Sequence, residues 1–524
     1  MQQNISRPYN SGILICDFGS QYTLLIAKTL REIGVYAEII PGDQASPPSD
    51  FSFHAIILSG GPGSVAHEGS PSLPSWVLES EKPVLGICYG MQLLLDNFGG
   101  RVRSGQKREF GKSNASINTS SKSQHLLLFK DIPKSHQVWM SHGDDLEKMP
   151  EIFSGIATTG EGVVAAIAHN SRPIFGLQYH PEVQHTEYGN KVLQNFVEEV
   201  CKAPRDWQTG YILQQIQASI RAEVKDGRVL LAVSGGVDSS VAALLLTRAL
   251  GPEHVHAVLV DHGMMRKHEV KTVEQQLQGL GLNLRVLSCA ELFFKNLKGV
   301  KDPEEKRKII GKTFIECFEA FALAAEQKFT HLGQGTLYPD VIESAAHGTG
   351  AKVIKSHHNV GGLPEQLNLK LVEPFRFLFK DEVRAIGREL GLPSEMILRH
   401  PFPGPGLGVR IPGEVFPEKV KILQEADDIF CRALKREGLY EQIWQAATIL
   451  LPVKSVGVMG DNRTYQWSCV LRAVTGVDAM TAEAAEIPLK FLTELATEIV
   501  QNVPGINRVL YDVTSKPPAT IEWE

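Results

Sequence analysis

The sequence contains few features of secreted, metal-binding or membrane proteins. Its seven cysteines are an odd number and form no C-x-x-C pair, so neither a disulfide framework nor a zinc cluster is indicated. No stretch of about 18 apolar residues occurs, which disfavours a membrane-spanning helix, and the first residues lack the apolar core of a signal peptide. These absences together favour a cytoplasmic protein in a reducing compartment.

Blocks of like charge are also missing. The 53 basic and 59 acidic residues give a formal net charge of −6, and they are mixed along the chain rather than clustered. A nucleic-acid-binding protein usually carries a basic face, so we expect small-molecule substrates and neither a nucleic-acid nor a membrane partner. The 524 residues are enough for about three domains with buried cores.

Short apolar runs alternate with helical patterns from Gly12 onward. The runs ILICDF, HAIIL and PVLGI are typical of buried strands, and each leads into a helix or a Gly-rich turn. Such alternation indicates a doubly wound, mostly parallel sheet with functional loops at the carboxyl ends of the strands. Residues 101–180 contain shorter alternating runs, for which we expect antiparallel strands. The strand and helix pattern begins again at RVLLAV, after the polar segment KAPRDW.

The chain is therefore predicted to be an α/β protein with three domains. Residues 11–203 and 204–400 are predicted to form two doubly wound, mostly parallel-sheet domains. Residues 401–524 begin with a segment rich in Pro and Gly and continue with mixed helical and strand-like runs. They are predicted to form a smaller α+β domain.

A cysteine lies where a strand turns sharply into a helix. Cys88 is at the centre of Gly86-Ile-Cys-Tyr-Gly90, a nucleophile elbow with sulfur in place of a serine hydroxyl. The glycines permit the turn, and the N–H groups of the following helix favour a thiolate. His180 and Glu182, two residues apart on a strand, share one face and supply a base with its orienting acceptor. Either Cys88 or His180 alone would usually be a packing residue, but together with Glu182 they predict a catalytic triad.

Residues 12–200 resemble a class I glutamine amidotransferase domain. The motifs SGGPGS, GICYGMQ and YHPE occur here in the order of that family. The resemblance implies that Cys88 attacks the side-chain amide of glutamine, that His180 moves protons and that Glu182 orients His180. It also implies that the backbone N–H groups of Gly61 and Tyr89 form the oxyanion hole.

A second strand-to-helix turn carries the loop SGGVDSS at residues 234–240. Its N–H groups and the helix dipole form a cradle for an anion. The loop lacks the lysine of a Walker A motif, and a bare Gly-Gly turn would otherwise indicate only a helix N-cap. The loop resembles the pyrophosphate loop of N-type ATP pyrophosphatases, which implies cleavage of ATP to AMP and pyrophosphate. The ATP-binding residues implied by this resemblance are Ser234, Gly235, Gly236, Val237, Asp238, Ser239, Ser240 and Lys380, with Asp238 also a candidate ligand for Mg²⁺.

Several further strings resemble the GMP synthetase family. They are VDHGMMR, GQGTLYPDVIES, KSHHNVGGLPE, HPFPGPGLGVR and KPPATIEWE, so the resemblance covers nearly the whole chain. It implies that xanthosine monophosphate (XMP) is adenylated by ATP and then aminated to GMP by ammonia from glutamine. The residues that would contact XMP are Arg266, Lys516 and Glu522, and the resemblance also implies a homodimer formed through the C-terminal domain.

Two other functions are compatible with parts of this pattern. The chain could be another ATP-pyrophosphatase amidotransferase with a different acceptor, although those carry different glutaminase domains. It could also be a catalytically silent nucleotide-binding regulator, which would have no need of an intact triad and phosphate loop. Residues 352–364, which include His357 and His358, are predicted to form a lid rather than a metal site, because no third ligand has suitable spacing. Residues 460–465 are assigned no role.

Overall fold

The computed structural model describes residues 9–524 except 68, 161, 347–368, 460–461 and 477–480. The predicted lid therefore lies outside the described residues. The chain divides into two compact units, of which the first ends at Gln215 and the second begins at Ile216. Among the helices that the structure describes, none is long and apolar enough to cross a membrane.

The first unit contains one nine-stranded sheet with the order β2-β1-β3-β4-β9-β8-β7-β5-β6. The strands are β1 Ser11–Asp17, β2 Ala37–Pro41, β3 Ser52–Leu58, β4 Val84–Ile87, β5 Arg101–Ile117, β6 Ser135–Lys148, β7 Phe153–Thr159, β8 Val164–His169 and β9 Ile174–Leu177. The helices are α1 Thr23–Ile33, α2 Ser75–Glu79, α3 Tyr89–Asn97 and α4 Gly189–Asn195, together with a 3₁₀ helix at Ser123–Phe129 and a π-helical turn at Phe196–Cys201.

The five strands β2, β1, β3, β4 and β9 are parallel. Both faces of such a sheet are covered, which explains why β1 is a continuous apolar run whose residues from Ile13 to Cys16 are completely buried. The remaining strands pair antiparallel, as predicted for residues 101–180. Because β4 and β9 are neighbours, the loops that follow them meet at one edge of the sheet.

The second unit contains a five-stranded parallel sheet and a smaller four-stranded sheet. The strands of the parallel sheet, in the order β12-β11-β10-β13-β14, are β10 Val229–Ala232, β11 Val255–Asp261, β12 Leu284–Ser288, β13 His331–Gly333 and β14 Lys370–Val372. The smaller sheet has β15 Gln445–Met459, β16 Asn462–Thr475, β17 Glu483–Ala484 and β18 Ile506–Tyr511. The helices after residue 201 are α5 Thr209–Val224, α6 Val237–Leu250, α7 Glu269–Gly279, α8 Ala290–Leu297, α9 Pro303–Ala324, α10 Tyr338–Ala346, α11 Lys380–Glu389, α12 Ser394–Ile397, α13 Pro417–Arg436 and α14 Leu489–Asn502, with 3₁₀ helices at Gly406–Arg410 and Tyr440–Gln442.

The two sheets of the second unit share one hydrophobic core. A single buried cluster includes Leu230 and Val258 from the parallel sheet, Phe430 from α13, and Leu450 and Leu471 from the smaller sheet. The predicted fold class is confirmed, with parallel-rich sheets and a smaller mixed region at the end of the chain. The division into three domains stays a prediction.

Candidate active sites

Cys88 lies at a sharp turn between β4 and α3, with φ 51° and ψ −107°. This backbone conformation is rare for a residue with a side chain and is found mostly where function requires it. Glycines two residues before and after make the turn possible. A Cβ atom at Gly86 would lie 2.5 Å from the carbonyl oxygen of Gly90, and one at Gly90 would lie 2.4 Å from that of Leu58. The structure thus has the elbow that the glycine spacing predicts.

His180 and Glu182 come from the loop that follows β9, which ends at Leu177, so the prediction that they lie on a strand is wrong. The His180 Nδ1 and Glu182 Oε1 atoms are 2.7 Å apart, and both side chains are buried. Gln178, in the same loop, donates from Nε2 to the Cys88 sulfur at 3.8 Å. The structure therefore brings Cys88, His180 and Glu182 together, and it adds Gln178, for which the sequence contained no separate signal.

The charge state of His180 depends on its two neighbours. Burial disfavours the imidazolium and lowers the pKa of His180, but Glu182 and the Cys88 side chain outweigh burial and raise that pKa to about 10. His180 therefore carries a proton at neutral pH. A thiol beside a protonated imidazole is the arrangement that produces a reactive thiolate.

The raised pKa of His180 predicts a pH dependence of stability. The folded state favours the imidazolium, so its stabilisation is fully present below pH 6.5, the ordinary histidine pKa, and is lost as the pH rises to about 10. Glu182→Gln removes the negative charge that holds this proton. We expect the wild-type chain to melt at a higher temperature than the variant at pH 6.5, with the difference shrinking towards pH 10. A difference that stays constant over this range would contradict the pKa shift.

The residues predicted to form the oxyanion hole are Gly61 and Tyr89. Tyr89 is the first residue of α3, so its N–H has no acceptor within the helix. A Cβ atom at Gly60 would lie 3.0 Å from the His180 ring, and one at Gly61 would lie 2.6 Å from the carbonyl oxygen of Phe18. The Gly60-Gly61 turn therefore needs glycine, and it lies directly against the imidazole.

The predicted phosphate loop connects β10 to α6. Gly235 has φ 76°, a left-handed conformation that favours glycine. The Ser234 hydroxyl accepts from the Gly236 N–H at 3.3 Å and lies 3.1 Å from the Ser239 hydroxyl. Helix α6 begins at Val237, so its first N–H groups have no intrahelical acceptor and can bind an anion.

Asp238 and Lys380 meet at the start of α6. The Lys380 Nζ atom lies 3.4 Å from Asp238 Oδ2, which brings the predicted lysine to the phosphate loop. Asp238 Oδ1 is buried and has no hydrogen-bond partner among the described residues. A free carboxylate oxygen suits Mg²⁺, which prefers oxygen ligands and takes many of them from phosphates and water. The described residues include no group of three or more His, Cys, Asp or Glu side chains arranged to hold a metal.

Glu522, a predicted XMP contact, is held by Arg410. The Arg410 guanidinium donates to both carboxylate oxygens, at 2.9 and 3.1 Å, and Gln445 donates to one of them. Burial raises the pKa of Glu522, but Arg410 more than compensates, and the pKa lies below its usual range. An ionised carboxylate offers about four acceptor positions, so Glu522 can still accept further hydrogen bonds.

Arg266, another predicted XMP contact, belongs to the same cluster. Its Nε atom lies 3.3 Å from Asp427 Oδ2, and its guanidinium lies over the Phe402 ring at 5.1 Å. Arg410 contacts the same ring at 5.0 Å and lies 3.9 Å from the other oxygen of Asp427. Burial lowers the pKa of Arg266, but the negative charge of Asp427 outweighs burial and the pKa lies above its usual value. The guanidinium therefore stays charged. Arg266 and Glu522 are thus joined through Asp427 and Arg410.

Buried cations hold residues 515–524, here called the closing segment, against the rest of the second unit. Arg472 donates to the carbonyl oxygens of Thr520 and Ile521, both at 2.9 Å. Lys306, which is completely buried, contacts the Glu524 carboxylate and three carbonyl oxygens of the segment 408–413. Lys516 pairs through its backbone with Ala482. Sequence reasoning missed Arg472 and Lys306, because a charged residue inside a helix or strand carries no signal of burial.

Three family models match successive parts of the chain. They are glutamine amidotransferase class-I over residues 14–200, NAD synthase over residues 212–309, and GMP synthase C terminal domain over residues 432–523. Curated relatives match nearly from end to end. The glutamine-hydrolysing GMP synthase of Aquifex aeolicus is 50% identical over 515 residues, which cover 98% of this chain and 99% of the relative. Those of Thermosipho africanus and Rhizobium johnstonii are 50% and 51% identical, covering 98% of this chain and 99% and 98% of the relatives.

Proposed function

This chain belongs to the family of glutamine-hydrolysing GMP synthases, and from that premise we propose which of its residues carry the reaction. The enzyme is a carbon–nitrogen ligase that takes nitrogen from glutamine, consumes ATP and converts XMP to GMP. The NAD synthase match covers the phosphate loop, which is the part of the chain that ATP pyrophosphatases share. The cytoplasmic location stays a prediction from the cysteine pattern.

Cys88 is the proposed nucleophile for glutamine. Its thiolate attacks the side-chain carbonyl carbon, and the N–H groups of Gly61 and Tyr89 stabilise the oxyanion that forms. Protonated His180 gives its proton to the departing nitrogen, which leaves as ammonia, and a thioester remains. His180 then removes a proton from the water that hydrolyses the thioester to glutamate, while Glu182 keeps the imidazole oriented. The 2.7 Å contact between His180 and Glu182 is the observation that carries this proposal.

The loop of residues 234–240 is the proposed site for the β and γ phosphates of ATP. Its helix N-terminus and hydroxyls bind them, while Lys380 lies close enough to reach the same phosphates. The α phosphate stays open to attack by the C2 oxygen of XMP, with pyrophosphate as the leaving group. Ammonia then attacks C2 and AMP departs, which leaves GMP. Mg²⁺ would neutralise phosphate charge, and Asp238 is the residue that would hold it.

The products of ATP cleavage test this assignment. We expect AMP and pyrophosphate to appear in step with GMP, because the loop has no Walker lysine to direct attack at the γ phosphate. Chromatography of the nucleotides after turnover with XMP, ATP and glutamine measures the products. The same mixture without XMP is the control and should release little AMP. Finding ADP and orthophosphate would contradict adenylation.

The cluster around Phe402 is the proposed XMP site. Arg266 in this cluster and Lys516 in the closing segment supply positive charge for the phosphate or a base carbonyl, and Glu522 accepts hydrogen bonds from the N–H edge of xanthine. Arg410 keeps Glu522 ionised, so the carboxylate acts only as an acceptor. A purine without the matching N–H would leave this acceptor unpaired, which costs about 1–3 kcal/mol.

A homodimer is proposed through the last strands of the second unit. Val456 and Tyr465 are paired across β15 and β16, and they are 52% and 62% exposed, with Val458 at 75%. Such a cluster of exposed apolar side chains suits burial against a second copy of the chain. In analytical ultracentrifugation, the wild-type chain should sediment as a dimer and Val458→Glu as a monomer. Leu323→Glu, at an exposed apolar position on α9, should remain dimeric, and a monomeric wild-type chain would contradict the proposal.

A further inference from the structure

A largely buried ion pair in the second unit connects the phosphate loop to the loop that carries Arg266. Arg399 donates from one terminal nitrogen to the carbonyl oxygen of Gly235 at 2.7 Å, and its other terminal nitrogen pairs with Glu269. The second oxygen of Glu269 accepts the backbone N–H of Arg266 at 2.6 Å. Three successive contacts therefore link Gly235 to Arg266 through Arg399 and Glu269.

The hydrogen bond from Arg399 to the Gly235 carbonyl oxygen determines the direction of one N–H group in the phosphate loop. In a trans peptide the carbonyl oxygen and the following N–H point in opposite directions within one plane. Because Arg399 holds the Gly235 oxygen, the N–H of Gly236 points the other way, towards the Ser234 hydroxyl that accepts it. Gly235 has a left-handed backbone that glycine can leave easily, so the hydrogen bond from Arg399 restricts an otherwise mobile peptide.

Glu269 restricts the backbone of Arg266 in a similar way. It is the first residue of α7, and its N–H donates back to the carbonyl oxygen of Arg266 at 3.1 Å, while its carboxylate accepts the Arg266 N–H. The backbone of Arg266 is thus held at both of its polar groups. The guanidinium of Arg266 leaves this anchored backbone and reaches Asp427.

Both members of the ion pair are shielded from solvent. The Arg399 and Glu269 side chains are 16% and 4% exposed. Burial and the neighbouring Arg266 lower the pKa of Arg399 to about 10, so its charge is retained at neutral pH. The planar guanidinium serves two acceptors in a fixed geometry, whereas a lysine ammonium offers a point charge without that fork.

We propose that Arg399 and Glu269 are positioning residues for adenylation. Together they fix the Gly235-Gly236 peptide of the phosphate loop relative to the backbone of Arg266. Neither side chain needs to touch a reacting atom. The α phosphate and the acceptor oxygen must approach to within reacting distance, and a displacement of about 1 Å can lower a rate about 100-fold. The inference rests on the proposed roles of the phosphate loop and Arg266.

The adenylation step can be measured separately from glutamine hydrolysis and amination, which isolates the effect of Arg399 and Glu269. Exchange of labelled pyrophosphate into ATP in the presence of XMP, without glutamine, reports adenylation alone. In Arg399→Ala we expect the maximal exchange rate to fall about 100-fold, while the KM values for ATP and XMP change less than about threefold. Added methylguanidinium should restore part of the rate. Glu269→Gln should lower the rate as well, and the double variant should be no slower than Arg399→Ala, because the pair acts as one unit.

A structural arginine in the same unit provides the control. Arg221 donates to the carbonyl oxygen of Ala249 at 2.9 Å, near the end of α6, the helix that begins at the phosphate loop. Arg221→Ala should exchange pyrophosphate at the wild-type rate even if its melting temperature falls. If Arg399→Ala does not fold, Arg399→Lys retains the charge and should still lose at least about tenfold in exchange rate, because one ammonium lacks the fork that serves both loops.

The outcomes are distinct. Wild-type exchange in Arg399→Ala, or in Arg399→Lys if the alanine variant is unfolded, would overturn the inference and leave the proposed function intact. A raised KM for ATP with an unchanged maximal rate would also overturn it, because Arg399 would then contribute to binding rather than to positioning. Absence of XMP-dependent exchange in the wild-type chain would instead refute the proposed function.

Discussion

Cys88→Ala should abolish glutamine-dependent GMP formation, by about 10⁴-fold or more, which is the scale on which loss of a nucleophile acts. Alanine leaves His180 and Glu182 in place but removes the atom that bonds to the substrate carbon. Formation of GMP from ammonium salts should survive at high concentration and alkaline pH, because free ammonia replaces the ammonia from glutamine and the phosphate loop belongs to the other unit. Chromatographic measurement of GMP with each nitrogen source gives both rates.

Cys201→Ala is the matched control for this prediction. It makes the same chemical change in the same unit, at the end of the π-helical turn and outside the site. Both nitrogen sources should support wild-type rates in this variant. Glutamine-dependent turnover by Cys88→Ala would show that another group is the nucleophile, and loss of the ammonia-dependent reaction would show that the variant is damaged beyond the site.

Arg410→Met should raise the KM for XMP at least about 100-fold and lower the melting temperature. Arg410 is completely buried and donates to both oxygens of Glu522. Removing one member of a buried pair leaves an uncompensated charge and costs about 3–5 kcal/mol. Glu522 would then either take up a proton or move towards solvent, and in both cases it would lose the geometry needed to accept hydrogen bonds from xanthine.

The double variant Arg410→Met/Glu522→Gln separates stability from recognition. With no charge left unpaired, the melting temperature should recover, but XMP affinity should stay low because the carboxylate acceptor is gone. Calorimetric titration of XMP and thermal melting measure the two quantities. Arg436→Met is the control, since its ion pair with Glu498 is exposed and such pairs contribute little. Recovery of XMP affinity in the double variant would refute a direct role for Glu522.

The local features of both active sites could be read from the sequence. The Cys88 elbow and the phosphate loop each depend on a strand, a turn and a helix that are contiguous in the chain, so the glycine positions are enough to predict them. The contact between His180 and Glu182 was predicted from their spacing of two residues, but the loop after β9 forms it, not the alternation of a strand. These features require no knowledge of how distant segments pair.

The encounter of Cys88 with His180 depended on the tertiary structure. Strand β9 pairs with β4, although four strands of the same sheet, β5 to β8, lie between them in the sequence. Sequence order alone does not determine which strands become neighbours. The resemblance to known amidotransferases implied that the two residues meet, whereas the pairing of β4 with β9 is the physical reason for it.

The buried charge network was decided by the tertiary structure alone. Arg410 meets Glu522 across 112 residues, and Lys306 meets Glu524 across 218. Charged residues are mostly exposed, so composition predicts that these side chains lie in solvent. Their burial is stable only because oppositely charged partners from distant segments lie against them. The sequence thus determined the reactive groups and the turns that present them, because those depend on neighbours along the chain. The supports that hold Glu522, Arg266 and Gly235 in place depend on contacts between distant segments, which exist only once the chain has folded.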